Sequence, residues 1–192
     1  MRILASSYGA TEATMSTPTF SHAGRPAMKR SSITHWMKLS PITLENAFVR
    51  LDPLDEHHRE PLREAGNDPD LWRFANVNLD NANFDAWVDH RLTEIANTND
   101  LTWAVFDKAS GSYVGSTSFL AIVVAHKRAE IGWTWYAKRV WAGPVNPSCK
   151  RMLLAYGFES LGFNRMELKA DARNQRSCKA MARFGAMFEG IH

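Results

Sequence analysis

The chain has 192 residues, of which 45% are hydrophobic, enough for one domain of ordinary size to bury a core without disulfides or a structural metal. Its longest uninterrupted apolar run, Phe119 to Ala125, covers seven residues, against the roughly 18 to 20 that a membrane-spanning helix needs, so a soluble protein and no membrane partner are expected. Two cysteines, Cys149 and Cys178, and no CxxC or HExxH pattern exclude a disulfide framework and lead us to expect no metal and a reducing, cytoplasmic setting.

The net charge of +3 divides unevenly. Residues 1–42 hold Arg2, Arg25, Lys29, Arg30 and Lys38 against Glu12, a balance of +4, so the remaining 150 residues carry −1. A near-neutral body lacks the basic face of a phosphate-driven binder, and no nucleic-acid partner is expected. Residues 1–40, rich in Ser, Thr and Ala without a sustained hydrophobic period, read as a disordered or mis-assigned extension, which leaves 41–192 as the domain.

In chain order, Leu44 to Leu54 predicts a strand or strand pair ending at Asp52-Pro53, where proline removes a ladder donor. Leu54 to Ala65 has helical composition, and Asp68-Pro69 opens a short helical turn through Trp72. Phe84, Trp87, Val88, Arg91, Leu92 and Ile95 recur at i, i+3, i+4, i+7, i+8 and i+11, the apolar stripe of a helix that Asn97-Thr98-Asn99-Asp100 ends. Leu101 to Phe106, Tyr113 to Val124 and Ala129 to Tyr136, separated by turns, predict an antiparallel meander. A helix then starts at Asn146-Pro147, with Asn146 as cap, and stops at Gly162. Asn164 to Lys169 reads as a strand, Arg173 to Phe184 as a helix, and Gly185 to Glu189 as the start of a further strand. This order is an α/β sandwich on a mixed sheet.

Two segments invite a ligand. The step from the strand ending in Tyr136, through Trp141-Ala142-Gly143-Pro144-Val145, into a helix opening with donors at Asn146, Ser148 and Cys149 offers free N–H groups and a partial positive charge to an anion. Helix capping by Asn146 is the plainer alternative. The second segment is Asp171-Ala172-Arg173-Asn174-Gln175-Arg176-Ser177, directly after a strand and followed by Arg183-Phe184-Gly185-Ala186.

Together with Gly115-Ser116-Thr117, Glu130-Ile131-Gly132-Trp133-Thr134-Trp135, Val145-Asn146-Pro147 and Asn164-Arg165-Met166-Glu167-Leu168-Lys169, these segments resemble the GNAT superfamily of acetyl-CoA-dependent N-acetyltransferases. Within it they resemble the Rim-type, ribosomal-protein N-acetyltransferase-like branch, over about residues 41 to 190. The resemblance implies a GNAT-like mixed, mostly antiparallel sheet flanked by helices. Because the chain stops at His192, the expectation is a C-terminally truncated domain lacking the final strand pair. The edge beside Met166 to Lys169 is then expected to be open, unless a second subunit, as in a homodimer, completes the sheet.

The resemblance also implies a site. The strand Ile131 to Tyr136 is expected to splay from its neighbour and to bind the pantetheine arm of acetyl-CoA through its backbone, with the oxyanion donor a backbone N–H of Trp135 or Tyr136. Gly143, Val145 and Asn146 would hold the pyrophosphate, although the family's Gln/Arg-x-x-Gly-x-Gly/Ala signature is altered: Arg139 lies four before Gly143 and Val145 fills the last position. Asn174 matches the family position that touches pantetheine. Met181 replaces the tyrosine that protonates the thiolate in many relatives, leaving Ser177, one turn from Asn174, as the substitute. Glu130 is the expected base, alternating with Gly132 and Thr134 on one face of the strand. The reading is acetyl transfer from acetyl-CoA to a primary amine, a protein N-terminus or a small amine; the alternative is a non-catalytic acyl-CoA-binding or interaction protein on the same fold. Cys149 reads as a spectator thiol, His57, His58 and His126 as exposed residues without ligand spacing, and Trp72, Trp87 and Trp103 as core or cleft walls.

Overall fold

The computed structural model describes residues 2–6, 39–75, 79, 81–97 and 100–191. Its first strand is β1 (Arg2–Ser6), followed by β2 (Leu44–Glu45) and β3 (Val49–Pro53). Helices α1 (Arg59–Gly66) and α2 (Asn81–Ala96) precede the meander β4 (Leu101–Asp107), β5 (Ser112–Val123) and β6 (Arg128–Tyr136). Then come α3 (Val145–Ala155), β7 (Arg165–Lys169), α4 (Gln175–Arg183) and β8 (Met187–Gly190). The strands form one sheet in the order β2-β3-β4-β5-β6-β7-β1-β8, antiparallel throughout except for β6 against β7. The meander lies where period-two patterning and turn residues predict it.

Two cores cover the two faces. Leu62, Trp72, Phe84, Trp87, Val88 and Trp135 pack under α1 and α2, and Trp103, Phe119, Ile131, Tyr136, Leu153 and Met166 pack under α3, joined by Met181 of α4. Among the described residues, no helix is long and apolar enough to cross a membrane.

The N-terminal end departs from the sequence reading. Residues 2–6 belong to the sheet: β1 inserts between β7 and β8, antiparallel to both, with Ile3 opposite Leu168 and Phe188. The predicted open edge beside Met166 to Lys169 is therefore filled from within the chain, and the strand expected to start in Gly185 to Glu189 joins the sheet beyond β1 as β8. Unpaired backbone groups along a strand edge favour any strand that can dock there, and Arg2-Ile3-Leu4-Ala5-Ser6 does so. Residues 7–38 of the predicted extension lie outside the described residues.

Candidate active site

The site is built where β6 parts from its neighbours. Parallel pairing with β7 runs from Arg128↔Arg165 to Ile131↔Leu168 and ends there, while β6 continues five residues further to Tyr136. On its other side β6 carries a bulge: Ser118 faces Gly132 and Ser116 faces Trp135, so Thr117 alone opposes Trp133 and Thr134. Trp133 takes φ +46 at this point, a left-handed conformation that costs a bulky residue energy and collects at functional sites.

The bulge resets which side chains share a face. An added Cβ on Gly132 would lie 3.2 Å from Glu130 Oε1, which puts these two on the α1–α2 face, where Trp133 and Trp135 also pack. Thr134 points the other way and is hydrogen-bonded from α3. The expected alternation of Glu130, Gly132 and Thr134 on one face is corrected accordingly, because the extra residue at Trp133 inverts the sequence period.

Backbone direction follows from the same register. An added Cβ on Gly115 would sit 2.1 Å from the Trp135 carbonyl oxygen, so Trp135 turns its backbone polar groups toward β5. Successive residues of a strand point these groups to opposite sides, and Tyr136 turns its own toward the open side. There its carbonyl accepts the Trp141 indole N–H at 2.7 Å. Of the two expected oxyanion donors, Tyr136 is the one whose N–H faces the opening.

The loop that follows differs in detail from its predicted form. Helix α3 begins at Val145, with Pro144 at its N-cap position and no side-chain cap; Asn146 lies inside the first turn and caps nothing. Ser148 N–H is used by the Pro144 carbonyl at 3.0 Å, and the Cys149 N–H lies within the helical ladder. No described residue accepts from the Val145 and Asn146 N–H groups, so of the expected free donors Asn146 stands, Ser148 and Cys149 do not, and Val145 joins it. Arg139 is held away from the helix start, donating to Ser112 Oγ and the Tyr113 carbonyl, both at 3.2 Å. Gly143 has an ordinary φ and the left-handed position belongs to Ala142, at φ +59.

Helix α4 closes the far side. Asn174 is its N-cap, its Oδ1 accepting the Ser177 N–H at 3.1 Å, and the Ser177 hydroxyl makes no hydrogen bond to a described residue. The Arg176 guanidinium stacks 3.3 Å from the centre of the Trp141 ring, tying α4 to the loop before α3. Glu130 accepts from Lys169 Nζ at 2.5 Å through Oε2, in the paired part of β6. Asn174, Ser177, Val145 and Asn146 thus belong to the elements that flank the opening, whereas Glu130 sits on the opposite face of the sheet, below the splay.

Sequence reasoning missed Lys150. It is 5% exposed on α3, and its Nζ donates to Thr134 Oγ1 at 2.8 Å. It also missed the role of His58, which is buried, not exposed: its Nδ1 accepts the Asp55 N–H and its Nε2 lies 3.2 Å from the Tyr113 hydroxyl. Asp55, His57 and His58 bring their ligating atoms within 4.8 Å of one another, but Asp55 and His58 are committed to the capping box ahead of α1. Cys149 is fully buried and its thiol is pushed up to about 12 by burial, which suits a thiol kept out of chemistry.

An open-edged, bulged strand beside an uncapped helix N-terminus fits an extended co-substrate that ends in phosphates: one part offers unpaired strand groups, the other free N–H donors. Comparison with known proteins gives the same class. The profile of the acetyltransferase (GNAT) domain matches residues 49–187, and the chain belongs to this family of enzymes. Among curated relatives, the uncharacterized N-acetyltransferase p20 of Bacillus licheniformis is 24% identical over 156 residues, 78% of this chain and 84% of p20. Among solved structures, a GCN5-related N-acetyltransferase from Brucella melitensis is 28% identical, covers 81% of this chain and 72% of its own, and superposes with a TM-score of 0.73. The fold also matches a spermidine N-acetyltransferase from Vibrio cholerae in complex with CoA and spermine, at 17% identity and TM-score 0.65, over 76% of this chain and 84% of that one.

Proposed function

We propose that this enzyme moves the acetyl group of acetyl-CoA to a primary amine, a protein N-terminus or a small amine, by direct attack, as a Rim-type member of its family working in a cytoplasmic setting. The observation that carries the reading is the end of β6–β7 pairing at Ile131↔Leu168, with β6 running on, unpaired on that side, to Tyr136. The pantetheine arm lies along this edge, near Asn174, and the pyrophosphate meets the Val145 and Asn146 N–H groups beside Gly143. The amine nitrogen attacks the thioester carbon, the oxyanion is held by the Tyr136 N–H, and the C–S bond breaks. The amine proton leaves through water toward Glu130 Oε1, the oxygen that Lys169 does not occupy, and the thiolate takes a proton relayed by Ser177. Acceptors enter over the α1–α2 face, whose wall is Trp72, Trp87 and Trp135, with ring centroids 5.3 and 6.1 Å apart.

Acetyl-CoA is titrated calorimetrically into the purified chain, and thiol release is then followed with a panel of amines that includes a polyamine and N-terminal peptides. Saturable micromolar binding with amine-dependent thiol release is expected. Ser177→Ala and Glu130→Gln should each lower kcat about ten-fold or more while leaving acetyl-CoA affinity within about three-fold. Binding without transfer to any amine would favour the second reading, a non-catalytic acyl-CoA-binding protein, for which the Glu130–Lys169 ion pair and Met181 at the usual tyrosine position speak.

A further inference from the structure

Lys150 is a buried titratable group tied directly to the bulge, with no part in the proposed acetyl transfer. It stands in the second turn of α3, 5% exposed, with Nζ 2.8 Å from Thr134 Oγ1. That hydroxyl lies 2.8 Å from Thr117 Oγ1 of β5 and 3.4 Å from the Gly132 carbonyl. One chain of polar groups therefore links α3 to both strands at the place where a single β5 residue faces two of β6. Thr134 follows the left-handed Trp133 and precedes Trp135 and Tyr136, whose backbone groups alternate between β5 and the opening.

The surroundings make the lysine unusual. No carboxylate of a described residue forms an ion pair with it, although a buried ammonium is costly unless paired. The groups about it are the Thr134 hydroxyl, which is bonded on to Thr117, and the Cys149 thiol on its own helix, which in turn meets the Tyr136 phenol of β6. Burial keeps both of the latter neutral, the phenol raised well above its ordinary value and the thiol to about 12. Burial lowers Lys150 itself to about 7. A threonine pair without the lysine would satisfy both hydroxyls, so the core does not need this amine for its own hydrogen bonding.

We propose that Lys150 is a positioning residue: through Thr134 it holds the bulge at Trp133 and so aims the Tyr136 backbone N–H at the reacting carbonyl. The proposal rests on the acetyl-transfer reading for its consequence in turnover, but the coupling of Lys150 to the bulge exists whether or not an amine is acetylated. Removing the amine leaves Thr134 Oγ1 held by Thr117 and the Gly132 carbonyl alone, which unties the bulge from α3 and frees it to relax.

The test compares Lys150→Met, Thr134→Val and the double variant, each near-isosteric with what it replaces. With acetyl-CoA and an accepted amine, each single variant should lower kcat about ten-fold, the scale of one lost hydrogen bond, with KM for acetyl-CoA within about three-fold. The double variant should be no worse than the weaker single one, because both remove the same link. Amide hydrogen exchange at residues 132–136 should speed up about ten-fold in both single variants while exchange in β4 stays unchanged. This second readout needs no turnover, so a chain that acetylates nothing would overturn the acetyl-transfer reading alone. Single variants with unaltered exchange at 132–136, or kcat losses that multiply in the double variant, would overturn the role of Lys150.

Discussion

The indole of Trp141 donates to the Tyr136 carbonyl at 2.7 Å while the Arg176 guanidinium stacks on its outer face, 3.3 Å from the ring centre. One side chain thereby joins the open end of β6, the loop before α3 and the first turn of α4. These are the three parts whose backbone groups would hold the co-substrate, and their relative position depends on this residue.

Trp141→Ala should therefore weaken acetyl-CoA binding more than it weakens the fold. An increase of about ten-fold in Kd is expected by calorimetry, while Arg176→Ala, which removes a cation–π contact of about 0.5–1 kcal/mol at a partly exposed site, should raise Kd by about three-fold. Equal affinity in all three proteins would show that the loop holds its shape without the stack.

Gly115 admits no side chain, since a Cβ there would stand 2.1 Å from the Trp135 carbonyl oxygen and 2.9 Å from Tyr136 Cα. The obstruction is backbone, which cannot swing aside as a side chain can. Gly115→Ala should cost about 3 kcal/mol in denaturant unfolding and disturb acetyl-CoA binding. Gly111→Ala, at φ +63 with open space around it, should cost about 1 kcal/mol and leave binding unchanged.

Stability should carry a signature of Lys150. Its amine is lowered from 10.5 to about 7 in the folded chain, so between these values the unfolded state binds more protons than the folded one. Its contribution is fully present above pH 10.5, and is lost as pH falls toward 7. Between pH 7 and 8.5, before the raised Cys149 thiol adds the opposite slope, wild type should gain on Lys150→Met by up to about 1.4 kcal/mol per pH unit. Urea unfolding of both proteins at three pH values checks it; parallel curves would mean that the ammonium is solvated in the folded chain.

The inserted strand β1 pairs on both sides at Arg2, Ile3 and Leu4, so these three residues contribute to two ladders. Leu4→Pro removes one backbone donor and should cost about 1–3 kcal/mol. It should also promote concentration-dependent self-association, measured by sedimentation, as the edge of β7 becomes available. Unchanged melting and a concentration-independent mass would show that β7 does not rely on β1.

Much of this molecule is legible in local patterning. The β4–β6 meander follows from alternating apolar residues and turn signals, and α2 from the recurrence of Phe84, Trp87, Val88, Arg91, Leu92 and Ile95. The capping of α4 by Asn174 follows from a short polar side chain placed three residues before Ser177. These features depend on residues a few positions apart, and their spacing already states the geometry. Family likeness, read from ordered motifs, correctly indicated the strand that parts from its neighbour.

What tertiary structure alone decided lies in contacts between distant segments. Nothing in the identity of Trp133 announces a left-handed backbone; the bulge arises because Thr117 must oppose two residues of β6, and it puts Thr134 on the face away from Glu130. A lysine on a helix reads as solvated until β6 brings Thr134 to its Nζ. Arg2-Ile3-Leu4-Ala5-Ser6 is too short to show a period, and its place in the sheet comes from the unpaired edge of β7, more than 150 residues away in the chain. Local sequence sets which elements form, because helix and strand periods are properties of neighbouring residues; register, facing and burial come from pairing between segments, and those decide the chemistry of the site.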